Sequence, residues 1–532
     1  MKKIFLLGSI ALSIISCADL DDNISSNMPL DSDVNPTLKL NAAEVRTYSA
    51  QVGLMTRLSS IWTNTYAGNY YYFANPMVIE YSLNINSSTG QSIWNDNYRA
   101  IGALQAIIDG NGAKQSAPVH VAISQILKAN YMHYLVDFYG DVPYSEAFKF
   151  SNNLSPKYDK GEAVYMGLIN ELDEGLATIN NTISLIDGGK PLPPIPDAGQ
   201  DVIFGKDYKE SDQGRAQLIK WKQFANTVKL RMLVRMSNVT DATVAAFRNT
   251  ELDKLKTLEK ADFISYDVAI NPGYSNASSA NLNPLYREYG RYDYTDTAFN
   301  TNGWRINKAS DYYAKFVNGE STLTLGAKDA RGTQQFAPVG GKVVGILQGG
   351  DKPVNTSESQ YSFIGWKLNT TAAASGSIDG YVMLGSEALL LLAEAKVLYP
   401  STFVNLNASS LYDDAILSSF NFYNVGTSYS TYMTNISTKP GLGWNVTTNK
   451  LEAIQNQRLV SLAIIRPVET YLNYLKYNYP NIPLALTAEQ SRKPYRLVYP
   501  ASEYSANSSN VPNMSTADCF TKNALTPFWL RN

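Results

Sequence analysis

Patterning along the chain predicts a mostly α-helical protein. The expected form is a scaffold of helix pairs, one large irregular loop-rich insertion and a few short strands. Three observations lead there. Apolar residues recur at three- and four-residue spacing in most segments, as one buried helical face requires. The stretch from about 266 to 379 loses that spacing and turns rich in asparagine, tyrosine and glycine. At 532 residues with only two cysteines, the chain needs a large packed core, because a disulfide framework is not available to it.

The first helix is expected over 41–58, through Val45, Tyr48, Val52, Met55 and Leu58, with Asn41 as a cap. A second spans 92–109 and a third 118–139, where Val121, Ile123, Ile126, Leu127, Tyr131 and Leu135 are apolar. The fourth covers 161–179. Residues 188–199 hold Pro191, Pro193, Pro194 and Pro196 and must be a loop. A strong helix follows over 217–236, with Leu218, Trp221, Phe224, Ala225, Val228 and Met232 on one face. Short β-like runs such as 342–347 interrupt the insertion. Helices resume at 380–398, apolar nearly all round and so expected to be buried, then at 411–422 and 449–465, and Pro467 can open another. Such pairs resemble tetratricopeptide units, although no clean 34-residue period is present in the sequence.

The N-terminus reads as a processed segment. Lys2 and Lys3 precede an apolar run from Ile4 to Ile15. That run has the length of a signal-peptide core and falls short of the ~20 residues that span a bilayer. It ends at Ile14, Ile15, Ser16 and Cys17, which resembles a bacterial lipobox. Residues 1–16 are therefore expected to be removed and Cys17 to be acylated. Each buried methylene of an acyl chain contributes about 0.8 kcal/mol, so a multiply acylated cysteine anchors a protein without a transmembrane helix. Residues 17–40 then form an acidic tether, and 41–532 the main folded domain. Asp19, Asp21 and Asp22 resemble the export patch that sends lipoproteins of the Bacteroidetes to the outer face of the outer membrane.

Composition narrows the chemistry. A net charge of −2 gives no broad field for nucleic acid. Two histidines, His120 and His133, cannot build a histidine-rich metal site, and both fall inside a helical segment where a packing role is expected. No zincin, nucleophile-elbow or phosphate-loop motif occurs, so no catalytic residue, metal or cofactor is assigned. Paired carboxylates for glycoside hydrolysis stay open, since their ~5–10 Å separation is spatial. Tyrosine is the outlier, with 36 residues against 18 phenylalanines. Its flat apolar ring and polar tip suit half-wet surfaces.

Four ordered segments carry a family resemblance. Residues 131–147 read YMHYLVDFYGDVPYSEA and resemble the DxYGDVPYSEA motif of SusD/RagB-type outer-membrane lipoproteins. Residues 221–232, WKQFANTVKLRM, are similar to that family's WxKFANSLKLRL helix. Residues 386–395, SEALLLLAEA, and 499–507, YPASEYSAN, match two later motifs. The nearest branch is the SusD-like, starch-binding-associating one. One departure stands out: where the family carries EAWxEWRRTGYP, residues 469–480 read ETYLNYLKYNYP, without the paired arginines. Tyr471 and Tyr474 keep the aromatic positions, so the fold is expected to survive. Most of these motif residues are expected to be core.

The resemblance implies a non-enzymatic nutrient binder: a lid that catches oligosaccharide or peptide and closes it into a partner SusC-like TonB-dependent transporter. A structural or adhesive surface lipoprotein is the alternative. In starch-binding relatives the ligand platform is drawn from two regions of the chain, and both are aromatic and amide-rich here. The first offers Trp62, Tyr66, Tyr70, Tyr71 and Tyr72, followed by Trp94; the second offers Tyr286, Tyr289, Tyr292, Tyr294 and Trp304 with Arg287 and Arg291, whose guanidinium groups can bond a polar edge. Both are expected to be loops on the helical scaffold, where recognition usually sits.

Overall fold

A computed structural model of the protein describes residues 39–110, 112–149 and 152–531. Cys17, the acidic residues after it and nearly all of the tether lie outside the described residues. The chain starts with α1 (Leu40–Val52) and α2 (Leu54–Trp62), separated at Gly53, then β1 (Tyr66–Gly68), α3 (Val78–Ser82) and α4 (Gln91–Ile108). After α5 (Ala113–Ser116) come α6 (Pro118–Tyr139), α7 (Gly161–Asp187), α8 (Arg215–Arg235) and α9 (Ala242–Leu255). The insertion holds β2 (Val268–Ile270), α10 (Pro284–Tyr289), a π-helical turn Thr301–Arg305, β3 (Asn307–Ala309), α11 (Asp311–Asn318), α12 (Gly332–Gln335) and α13 (Ala372–Ser375). It is followed by β4 (Gly380–Met383), α14 (Gly385–Leu398), α15 (Ala408–Phe422), α16 (Tyr429–Ile436), α17 (Lys450–Leu462), α18 (Pro467–Tyr477) and α19 (Ala501–Ala506).

Local chemistry sets these boundaries. Pro118 opens α6, where its missing N–H costs nothing, and Pro467 opens α18 in the same way. Asn283 caps α10, its side chain accepting from the Leu285 and Tyr286 amides, and Asn449 caps α17 through the Leu451 amide. Gly140 ends α6 at φ +78°, and a Cβ there would meet the Leu525 carbonyl oxygen at 2.6 Å. Only glycine fits that turn.

Helices pack as neighbours: α1 on α4, α4 on α6, α6 on α7 and α7 on α8, with α14 against both α15 and α17, and α18 joining α17 to α2. α6 is buried along almost its whole length, so it is the central element. Its exposure to other helices on every side explains why its sequence shows no polar face. The four strands make two antiparallel pairs, β1 with β3 and β2 with β4, which clip the insertion onto the scaffold at two places.

A network of charges crosses the middle. Arg231 bonds Glu387 at 2.6 Å, Arg235 bonds Glu469 at 2.9 Å, Arg466 bonds Glu387 at 3.1 Å and Arg458 bonds Glu394 at 2.8 Å. Burial alone would raise the Glu469 carboxyl, yet Arg235, Arg231 and Arg466 hold it well below the usual carboxylate range. Such groups persist in a core only when each is paired. The family motifs feed the same joints. Asp137 accepts from Trp529 Nε1 at 2.7 Å and from Tyr165 Oη at 2.5 Å, and Asp141 accepts from the Gly161 amide at 3.0 Å. Trp221, Phe224 and the 388–395 run are buried, as expected of core.

The helical scaffold follows the patterning with specific differences. The helix expected over 41–58 is two helices, because the chain turns at Gly53, whose ψ of −134° is not helical. The helix expected over 380–398 begins only at Gly385. Residues Gly380–Met383 are a strand, since Gly380 and Met383 pair with Ile270 and Val268. An apolar run in one chain cannot reveal a strand partner more than a hundred residues away. The 342–347 run forms isolated bridges to Val339 and Ser310 and no regular strand. His133 and His120 are both buried and packed, His133 on Asp137 at 3.2 Å and His120 on Gln200 at 2.9 Å. Cys519 is free and buried, its thiol pushed up to about 12 by burial.

Candidate ligand-binding cleft

Where α1 gives way to α2, the scaffold opens into a cleft of about 1540 Å³. One wall is α1 and α2, through Arg46, Ser49, Gly53 and Arg57. The floor is α4, through Trp94, Asn95, Tyr98 and Arg99, and α10 with the π-helical turn continues the wall from α1, through Arg287, Tyr289, Asn300 and Asn302. Residues 143–148 and 153–156 with α19 close the end, with Pro143, Phe148 and Glu503 at the lining. Single small ligands usually occupy ~300–1,000 Å³, so this space suits a chain of several units.

The floor is aromatic. Trp94 packs on Tyr98 with ring centres 4.8 Å apart, and Tyr98 on Phe148 at 5.7 Å. Tyr98 is held by a 2.6 Å bond from its hydroxyl to the Pro143 carbonyl, which ties the floor to the 131–147 motif. Phe148 adopts φ +63°, a left-handed conformation that a bulky side chain rarely takes. Polar groups line the rim. Glu503 accepts from Tyr158 Oη at 2.8 Å, and Asn95 Oδ1 has no hydrogen-bond partner among the described residues. Burial pushes the Asp96 carboxyl up, against the pull of nearby Arg99.

The structure sorts the aromatics expected to bind ligand into five groups. Trp94 and Tyr289 reach the cleft: Trp94 from α4, the helix expected over 92–109, and Tyr289 from the end of α10 and not from a loop. Tyr289 donates its hydroxyl to the Gly53 carbonyl at 3.1 Å, bracing the break between α1 and α2. Trp62, Tyr66 and Tyr286 are core residues with no open ring face. Trp62 packs on Tyr471, Tyr66 on Tyr289 and Phe336, and Tyr286 bonds the Thr370 carbonyl at 2.7 Å. Trp304 is 5% exposed and stacks on Phe363 at 4.1 Å, so it backs the wall that Gly303 lines. Tyr292 and Tyr294 lie on the outer hairpin beside Phe299. Tyr70, Tyr71 and Tyr72 form a separate surface ridge with Tyr361, Tyr71 packing on it at 5.6 Å.

Sequence reasoning placed Arg287 beside the second aromatic region, and the cleft bears that out, but it missed Arg46, Arg57, Tyr98, Arg99 and Phe148. Each looks like an ordinary helix-surface or loop residue, and only the packing of α1, α2, α4 and α10 brings them to one space. Among the described residues, no group of three or more His, Cys, Asp or Glu side chains is placed to hold a metal. Among the same residues, no helix is long and apolar enough to cross a membrane.

Comparison with known proteins gives the fold a family. The profile of a SusD-like family described as starch-binding and associating with the outer membrane matches residues 35–500. Among solved structures, a chitin-binding SusD homolog from Flavobacterium johnsoniae superposes with a TM-score of 0.67 at 18% identity, covering 92% of this chain and 98% of that one. A SusD homolog from Bacteroides uniformis gives 0.64 at 20% identity, covering 89% and 94%. A SusD-like protein from Bacteroides thetaiotaomicron gives 0.65 at 16% identity, covering 88% and 94%. No curated protein sequence matches significantly. The match over residues 35–500 and the shared helical architecture make this chain a member of the SusD-like family of starch-binding proteins associated with the outer membrane.

Proposed function

We propose that this protein captures an extracellular oligosaccharide in the cleft between α1, α2, α4 and α10, without catalysis, and passes it to a TonB-dependent transporter. The observation that carries the reading is the cleft itself: about 1540 Å³, floored by Trp94, Tyr98 and Phe148 and rimmed by amides and charges. Sugar rings present an apolar face and a polar edge. Aromatic rings bury the first, while Asn95 and Asn302 can bond the second. The family description and the chitin-binding relative favour glycan over peptide. The strained backbone at Phe148 adds support, since strain of this kind clusters at ligand clamps.

The same reading makes residues 1–16 a signal peptide, Cys17 the lipid attachment site and residues 17–40 the acidic tether that leaves the binding domain on the outer face. Under this reading Cys17→Ala releases the protein from membranes, and deleting Asp19, Asp21 and Asp22 leaves it acylated but facing inward; protease shaving of intact cells reads both. The binding claim is tested by calorimetry with a panel of glycan oligomers against the native chain and a Ser92→Trp variant. Ser92 is an exposed lining residue of α4, so the bulky ring fills the cleft without disturbing the core. Loss of glycan binding in this variant supports the site. Equal affinity in both proteins moves the site elsewhere, and binding of peptides alone replaces the ligand class. Gently solubilised native membranes should yield a complex with a transporter barrel, and free lipoprotein alone would count against that partnership.

A further inference from the structure

The cleft draws its positive charge from a single residue type. Arg46 of α1, Arg57 of α2, Arg99 of α4 and Arg287 of α10 line it, and no lysine does, although lysines outnumber arginines in the chain. Four separate helices thus each deliver a guanidinium to one space. Carboxylates are present too: Asp96, Glu288 and Glu503. Of these three carboxylates, only Glu503 is hydrogen-bonded by its side chain among the described residues. Glu503 already accepts a 2.8 Å bond from Tyr158 Oη. Arg57 comes no nearer to a carboxylate than 3.6 Å, from Glu80, and Arg287 no nearer than 3.7 Å, from Glu288. Among the described residues, the guanidinium groups of Arg57, Arg99 and Arg287 donate no hydrogen bond at all. In the core, by contrast, Arg231, Arg331 and Arg458 bond carboxylates at 2.6, 2.6 and 2.8 Å.

A guanidinium presents a planar fork of N–H donors that matches the two oxygens of a carboxylate or sulfate, which a lysine ammonium cannot do. Forks left open on three helices, above an aromatic floor, fit a ligand that offers ring faces and anionic groups at once. We propose that the cleft is selective for an anionic oligosaccharide, one whose sugar rings carry carboxylate or sulfate groups, with Arg99 and Arg287 gripping those groups. This rests on the reading of the cleft as a glycan site and adds the substrate class.

Calorimetry on the native chain separates the two levels. The probes are oligogalacturonate for carboxylate, chondroitin sulfate oligomers for sulfate, and malto- and chito-oligosaccharides of equal length as neutral chains. At least one anionic probe is expected to bind about tenfold or more tightly than either neutral one, and to weaken as salt rises. Which anionic probe wins tells carboxylate from sulfate. An Arg99→Gln/Arg287→Gln double variant, with its melting temperature checked, should lose about tenfold on that probe and little on neutral chains. Arg99→Lys should recover only part of the loss, because it restores charge without the fork. Tighter binding of a neutral oligomer, or an anionic affinity unchanged in the double variant, overturns the selectivity and leaves the glycan site standing. No binding of any oligosaccharide overturns both.

Discussion

Arginine occupies two regions of this molecule on opposite terms. Around α8, α14 and α18, Arg231, Arg235 and Arg466 are buried, and each meets Glu387 or Glu469 at 3.1 Å or less. Around the cleft, Arg57, Arg99 and Arg287 are partly or fully exposed and engage nothing closely. The buried set holds the helices in register, because an unpaired charge there would be intolerable. The cleft set can remain incompletely bonded only because water, or a ligand, completes it. The same side chain therefore marks structure in one place and recognition in the other, and the bond lengths tell which.

Breaking the buried set should have the largest effect. Glu469→Ala takes from Arg235 its 2.9 Å carboxylate partner and leaves Arg231 with Glu387 alone, and should cost about 3–5 kcal/mol, read from the denaturant midpoint. The carboxyl is held low in the folded state, so its stabilisation is complete above the unfolded value of about 4.3 and is lost as pH falls below it. Acid titration of wild type should show that loss, and Glu469→Gln should flatten it while lowering stability at neutral pH. An unchanged acid profile would remove Glu469 from the account.

Trp94 sharpens the contrast because it belongs to both regions. It is 2% exposed and packs on Tyr139 and Tyr499 as well as Tyr98, yet borders the cleft. Trp94→Ala should cost about 3 kcal/mol of stability. Where the fold survives, it should weaken ligand binding about thirtyfold, the scale of a buried aromatic hot spot. Melting curves and calorimetry on one preparation check the two together.

Smaller effects lie on the cleft wall. Tyr289→Phe removes the hydroxyl that braces the Gly53 carbonyl and should cost about 1 kcal/mol. Arg99→Gln should change stability by less than about 0.5 kcal/mol, as for an exposed residue without bonds to lose. If Arg99→Gln destabilised the protein as much as Tyr289→Phe, the distinction between the two arginine sets would fail.

The scaffold was largely legible in the sequence because helix-period patterning and end signals are local. Pro118 and the Tyr139–Gly140 end of α6 can be read from neighbouring residues alone. The strand Gly380–Met383 could not, since its partner is remote. The site was legible only in part. Aromatic abundance pointed to Trp94 and Tyr289, but the same reasoning gathered Trp62, Tyr66 and Tyr286, whose rings pack the core. Composition cannot tell a buried ring from a half-open one. Of the cleft arginines only Arg287, beside an aromatic cluster, could be read from the sequence; Arg46, Arg57 and Arg99 could not, because a lone charge on a helix reads as a solvated face until other helices converge on it.

The central claim is that ligand occupies the cleft and not the Tyr70–Tyr72 ridge. Amide hydrogen exchange, with and without the glycan that calorimetry selects, tests this directly. The account predicts added protection in residues 91–102, 143–149 and 287–303, with 69–73 and 352–361 unchanged. Protection confined to 69–73 and 352–361 would contradict it and move recognition to the ridge.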